Sequence, residues 1–156
     1  MASPHGSKLF VSVGSNSNVA ENGIEAEAQR DAIWEIDPAT CTHRVFALGL
    51  RNPVGFDWQP KTGVLYASNN GPDQLGYDQP PEYFSRLTPG SFHGMPWFQF
   101  DGKQIRRDEC ISRAPPRPIG EVVPPAATFP ARNAPMGVTF VPEGAMDSRV
   151  ALDAIV

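Results

Sequence analysis

The stretch Gln59-Pro60-Lys61-Thr62-Gly63-Val64-Leu65-Tyr66-Ala67-Ser68 sets a turn built on Pro60 and Gly63 directly before a run that alternates large apolar with small residues. Alternation with period two, entered from a Gly-containing turn, is the pattern of a hairpin strand in an antiparallel sheet. The same phrase opens the chain as Ser3-Pro4-His5-Gly6-Ser7-Lys8-Leu9-Phe10-Val11-Ser12-Val13. A looser third copy runs Val138-Thr139-Phe140-Val141-Pro142-Glu143-Gly144 and continues at Arg149-Val150-Ala151-Leu152. Pro4, Pro60 and Pro142 mark the copies at intervals of 56 and 82 residues, near one propeller blade and then one blade with an insertion. Repeats of roughly 40 to 50 residues, each made of four short strands, are the sequence sign of a β-propeller.

The intervening segments suit such units. Strands are expected over 32–37, ending in the turn Asp37-Pro38-Ala39-Thr40, and over 44–48, 54–58 and 83–87. Residues 21–30 are polar and rich in Ala and Glu, a surface excursion with at most a turn or two of helix. Residues 101–133 are dominated by Pro, Arg and small residues with little periodicity. They read as an extended surface insertion within one domain spanning 1–156. The expected fold class is all-β, with two to three blades of antiparallel strands and a last segment, Asp153-Ala154-Ile155-Val156, that reads as the middle of a further blade. The alternative is a small β-sheet protein that folds independently.

Composition agrees and narrows the function. Of 156 residues, 40% are apolar and 19% charged, which argues against disorder, and 17 Pro with 14 Gly favour short strands and turns over long helices. The net charge of −4, with no basic face, makes a nucleic-acid backbone a poor partner. The basic pair Arg106-Arg107 is followed at once by Asp108-Glu109. No apolar run approaches the ~20 residues of a membrane-spanning helix, and no signal peptide is visible. Cys41 and Cys110 lack Cys-x-x-Cys spacing and make no zinc site; they either pair in an oxidising compartment or stay free.

The chemistry concentrates in Gly49-Leu50-Arg51-Asn52-Pro53-Val54-Gly55 and Asn69-Asn70-Gly71-Pro72-Asp73. Arg51 carries a planar fork of donors suited to carboxylates or an oxyanion. Gly71-Pro72 can turn two main-chain carbonyls toward one point, and hard cations such as calcium take carbonyl oxygens. Pro53 holds Asn52 in an extended or turn conformation.

In order along the chain, Lys8-Leu9-Phe10-Val11-Ser12-Val13-Gly14-Ser15, Ala32-Ile33-Trp34-Glu35-Ile36-Asp37-Pro38, residues 49–55, Asn70-Gly71-Pro72 and Gly90-Ser91-Phe92-His93-Gly94-Met95-Pro96-Trp97 resemble the soluble glucose and sorbosone dehydrogenases that use pyrroloquinoline quinone (PQQ). A weaker echo continues from Ala134-Pro135-Met136-Gly137-Val138. The resemblance implies part of a six-bladed propeller and a PQQ- and calcium-dependent oxidoreductase acting on the CH-OH or aldehyde group of sugars. It also implies an electron acceptor as partner and a periplasmic or secreted location. It gives Arg51 a catalytic place beside the reacting quinone carbonyl, Asn52 a hydrogen bond to the cofactor, and Gly71 and Pro72 the main-chain calcium ligands.

The resemblance fails at the general base. His5 sits in a hairpin turn, His43 at an exposed strand entry and His93 at a packing position, and the family's catalytic histidine precedes the strand that begins at Lys8. Ser15 stands where glucose-specific relatives carry an aspartate, which leans toward the sorbosone branch. Further basic residues that bind the PQQ carboxylates come from later blades in the family, so cofactor binding by this chain alone is expected to be weak. Trp34, Trp58 and Trp97 could line a sugar surface, but at strand positions they read as core. Ser12, Ser15 and Ser17 have no His-Asp partners or Gly-x-Ser-x-Gly elbow for a serine hydrolase. A metal-dependent lactone hydrolase would have to draw on Glu35, Asn70, Asp73 and Asp78. The competing class is a non-catalytic propeller fragment that binds or scaffolds.

Overall fold

The computed structural model describes residues 1–73 and 75–156. Twelve short strands carry the described architecture: β1 (Leu9–Val13), β2 (Ala32–Asp37), β3 (Thr42–Leu48), β4 (Phe56–Trp58), β5 (Leu65–Asn69), β6 (Glu82–Leu87), β7 (Ser91–Phe92), β8 (Phe98–Phe100), β9 (Ile105–Arg107), β10 (Ala127–Phe129), β11 (Thr139–Phe140) and β12 (Ala154–Ile155). Two single 3-10 turns, at Ile24–Glu27 and Ile119–Glu121, are the helical content among the described residues. None is long and apolar enough to cross a membrane.

The repeat read from the sequence is a repeat of register. In the second sheet, ordered β4-β5-β6-β10, Trp58 lies opposite Leu65. In the first, ordered β1-β2-β3-β7, Ala2 lies opposite Leu9, so both partners shift by the 56 residues that separate Pro4 from Pro60. Residues 1–2 thus stand where β4 ends, β1 corresponds to β5, β2 to β6 and β3 to β10. In the third unit Phe140 lies opposite Ala154, with β11 in the place of β4. The described chain therefore holds one complete four-stranded blade between two partial ones, all-β as expected.

The second strand of the third unit falls at Ala154–Ile155, later than the 149–152 run expected for it. Val141 N–H donates to Asp153 O and Leu152 N–H to Val141 O, while Leu152 adopts φ of 71°. That left-handed turn delays re-entry into the sheet. Residues 101–133 are mostly exposed, and they include β9 and β10, the outer strand of the complete blade. A three-residue strand flanked by prolines has too little alternation to be seen in sequence.

The core lies between the first two sheets. Phe10, Ile33, Phe46 and Ala47 from one meet Leu65, Ala67 and Leu87 from the other, with Trp58 and Phe56 at the margin. Phe10 sits edge-on to both Phe46 and Trp58 at 5.0 Å between ring centroids. Burial of side chains this size contributes about 1.5–3 kcal/mol each. On the other side of the complete blade, Tyr66 stacks on Phe84 at 5.1 Å and meets Phe140 of the third unit edge-on. Gly55 makes that succession possible: a Cβ there would lie 2.4 Å from the Gly137 carbonyl carbon. These two glycines are 82 residues apart, the spacing of Pro60 and Pro142, so equivalent strand entries of neighbouring blades touch backbone to backbone.

Topology also gathers the candidate residues. β4 begins after 49–55 and its antiparallel partner β5 ends before 70–81, so both loops lie at one end of the blade; Asn52 and Asn70 pair there. The loop after β1 joins them, since Ser15 N–H donates to Arg51 O at 2.7 Å. β7 runs parallel to β3, which leads into 49–55, and so carries 93–107 to that same end. His93 N–H bonds Leu48 O and Met95 N–H bonds Gly49 O along the way. Behind it Phe92, Phe98 and Val122 form a second small core, with Trp97 packed against it.

Candidate functional site

Arg51 is half-buried at the meeting of the three loops. Its Nε donates to Asn18 O at 2.9 Å and its Nη1 to Gly71 O at 3.0 Å. Two of the five guanidinium N–H donors are used in these bonds. Asn52 braces it from behind: with the amide oriented to satisfy both ends, its NH2 donates to Arg51 O at 3.0 Å and its oxygen accepts from Arg51 Nη1 at 3.2 Å. The Asn52 main-chain N–H is taken by Asn69 Oδ1 at 3.0 Å. Gly14 leaves room for this side chain, since a Cβ at Gly14 would lie 2.1 Å from the end of the Asn52 amide that faces Arg51 O. Arg51, Asn52 and Gly71, chosen from separate stretches of sequence, are thus brought into one hydrogen-bonded group, with Pro72 next to Gly71 and buried like it.

The Gly71 carbonyl faces the Arg51 guanidinium, while its N–H is held by the Glu82 carboxylate. Glu82 is 3% exposed, and burial raises its pKa against the pull of the Gly71 and Arg132 amides. Sequence reasoning did not single out Glu82; its one signal is a carboxylate opening a strand directly before the aromatic pair Tyr83-Phe84. Nor did it single out Asp31, 2% exposed at the end of the 14–31 loop. Burial, then the nearby Glu27 carboxylate, pushes the Asp31 pKa up to about 7, against the opposing pull of the Ser15 hydroxyl and the charges of Arg51 and Arg30. The Ser15 hydroxyl neighbours the Asp31 carboxyl, yet Asp31 Oδ1 and Ser15 Oγ are both buried outside good hydrogen-bond geometry. Glu27 is differently committed: it accepts from the Asn16 and Ser17 amides and the Ser17 hydroxyl and so shapes that loop.

Of the histidines, His93 alone comes close. A cavity of about 20 Å³ is lined by Arg51, Asn69, Gly71, Tyr83, His93 and Gln99. His93 is 6% exposed and burial lowers its pKa to about 4, so it is neutral at ordinary pH. Its Nε2 lies 3.0 Å from Ser91 Oγ, and its Nδ1 has no partner. His5 and His43 are exposed, the latter against Trp34 on the outer sheet. Cys41 and Cys110 are free and exposed. Among the described residues no three His, Cys, Asp or Glu side chains converge as a metal site, and Glu35 is paired with Arg44. A cation at this end would therefore depend on main-chain oxygens.

No protein-family model matches the chain. An uncharacterized protein of Borreliella burgdorferi is 33% identical over 135 residues, covering 85% of this chain and 33% of the relative. Among solved structures, an iodide and a calcium structure of carbohydrate-active enzyme family AA12 from Trichoderma reesei each superpose with a TM-score of 0.75. They are 18% and 17% identical, with 90% of this chain matched to 44% and 45% of theirs. The holo form of the PQQ domain of pyranose dehydrogenase from Coprinopsis cinerea superposes with a TM-score of 0.72 at 18% identity, over 92% of this chain and 45% of that one. The chain thus spans about a third of the length of the curated relative and less than half of these structures. At this level of identity the shared property is the fold: this chain is built as a run of adjoining β-propeller blades.

Proposed function

We propose that the chain supplies part of the cofactor end of a PQQ- and calcium-dependent oxidoreductase that acts on the CH-OH or aldehyde group of sugars, as aldose and sorbosone dehydrogenases do. The observation that carries this reading is the convergence of Arg51, Asn52 and Gly71 from two loops at one end of a propeller. A solved domain of the same fold is named for PQQ.

The residues present fit both groups. Arg51 keeps guanidinium donors beyond its two main-chain bonds, and its charge suits an anionic quinone whose reduction adds negative charge. Gly71 O has a second lone pair beside the one given to Arg51, and with the Pro72 carbonyl it offers the hard oxygen ligands calcium prefers. When bound, PQQ supplies the two-electron acceptor and calcium the Lewis acid. The chain's own part is to hold Arg51 in place through Asn18 O and Asn52, and to fix the Gly71-Pro72 turn through Glu82. Secretion or periplasmic residence and a separate electron acceptor complete the reading.

One observation favours the non-catalytic alternative. The histidine nearest Arg51 is buried and paired with Ser91, and the other two are exposed elsewhere. A general base contributes about 10²- to 10⁴-fold in rate, so residues 1–156 alone with PQQ and calcium are expected to oxidise aldoses poorly. The test is a dye-linked assay on the parent protein at its natural length and on its Arg51→Ala variant. A loss of roughly 10²-fold, about 3 kcal/mol, is expected, as for a donor at a developing oxyanion. Unimpaired turnover would exclude the role given to Arg51, and sugar-independent behaviour of the parent would favour the scaffold.

A further inference from the structure

Arg132 lies in the connector between β10 and β11, and its side chain does not reach for another blade. Nη1 donates to Gln79 O at 3.2 Å, and Nη2 donates to Asp73 O at 2.9 Å and to Gly76 O. Its Nε lies 3.6 Å from Asp73 Oδ1. One guanidinium thus ties down three carbonyls of the loop that begins at Gly71-Pro72. The Arg132 main-chain N–H meanwhile donates to Glu82 Oε1 at 3.2 Å, and Glu82 Oε2 accepts from Gly71 N–H. Glu82 therefore joins the Arg132 connector to the front of the turn, and the Arg132 side chain holds the back. Arg132 adopts φ of 67°, a conformation that costs a non-glycine residue free energy. The four hydrogen bonds and the ion pair that follow from this placement offset that cost.

We infer that Arg132 and Glu82 are positioning residues that aim the Gly71 and Pro72 carbonyls and thereby set the cation affinity of that turn. This rests on the calcium reading above. A cation held by main-chain carbonyls has no anionic ligand to draw on, so its affinity depends on how rigidly the oxygens are held. Arg is suited to the task because its planar fork reaches several carbonyls at once, whereas Lys offers a point charge. The insertion and the connector that follows it, remote from the turn in sequence, then control the turn from behind.

The experiment uses the whole chain with calcium as the probe, followed by calorimetry, and amide hydrogen exchange as a readout independent of activity. Arg132→Met should weaken calcium binding about tenfold and speed exchange at the Gly71 amide by a similar factor. Core amides such as Leu65 and Phe84 should be unchanged. Arg132→Lys keeps the charge and should restore less than half of the lost affinity on a logarithmic scale. Glu82→Gln keeps the shape and is the second variant should Arg132→Met fail to fold; it should weaken binding in the same direction. Calcium affinity within twofold of wild type in Arg132→Met and Glu82→Gln overturns the inference. A wild-type chain that takes up no calcium overturns the calcium reading and the inference together, which separates the two failures.

Discussion

Arg51 and Gly71, 20 residues apart, share one hydrogen bond in which the guanidinium sits on the carbonyl oxygen that a cation would take. The relationship makes the two proposed ligands depend on Arg51 with opposite signs. Arg51→Ala frees a lone pair and removes a positive charge, so calcium should bind several-fold tighter. PQQ loses a charge-assisted hydrogen bond of about 1.5–3 kcal/mol and should bind 10- to 100-fold weaker. Calorimetric titrations of the variant with each ligand check this, and a loss of both affinities together would indicate a collapsed site instead.

Gly14→Ala should disturb the same group from the other side. The new methyl would occupy the place of the Asn52 NH2 that donates to Arg51 O, so the Asn52 amide must rotate away from Arg51. PQQ affinity should fall by about tenfold, the worth of roughly one hydrogen bond. The denaturation midpoint should move little, because the displaced group is a partly exposed side chain. Unchanged cofactor binding in a folded Gly14→Ala variant would argue against any part for Asn52.

Gly55→Ala should be costly in stability. Its methyl would have to enter the Gly137 main chain, and overpacking of this kind costs about 1–3 kcal/mol or more. Gly120→Ala, with open space around it, should stay within about 0.5 kcal/mol of wild type. Urea denaturation of both variants gives the contrast, and equal midpoints would refute the close approach of the two blades.

Stability should fall as pH rises toward neutrality and level off just above it. Asp31 is held at about 7 in the fold against 3.8 when free, so the fold favours its protonated form. The contribution is complete below pH 3.8 and is lost as pH rises through 7. At about 1.4 kcal/mol per pH unit this is of the order of 4 kcal/mol. Glu82, also raised by burial, adds in the same sense. His93 acts oppositely: lowered from 6.5 to about 4, it contributes above 6.5 and its contribution is lost as pH falls through 4. The two slopes oppose each other between 4 and 6.5, leaving a decline of under about 1 kcal/mol that starts near 6.5 and is complete by about pH 8, and that Asp31→Asn should flatten. A wild-type stability curve without that decline from pH 6.5 to 8 would contradict the assignment.

These residues also mark what was legible in the sequence. The strands and their 56-residue repeat were readable because a Pro-Gly turn followed by alternation is a local signal, carried within ten residues. Arg51, Asn52, Gly71 and Pro72 stood out through their residue types and their order. Glu82, Asp31 and Arg132 did not, because each acts through a partner fixed by where loops from different strands converge. Glu82 meets Gly71 11 residues away, and Arg132 meets Gly76 56 residues away. The parallel pairing of β7 with β3 was hidden for a similar reason, since a two-residue strand inside Gly-Ser-Phe-His has no period to display.

The contact of Gly55 with Gly137 bears on how such a chain can change over evolutionary time. The 82-residue interval returns a glycine to the strand entry, at Gly55 and again at Gly137, although it is 26 residues longer than the 56-residue interval before it. The extra length falls chiefly between β6 and β10, out at the rim. New sequence, and with it new surfaces such as the segment that climbs beside β3, can be accepted at the periphery. At the junction of the two blades a single methyl group on Gly55 is too much, so growth at the rim is free only as long as this one contact stays bare.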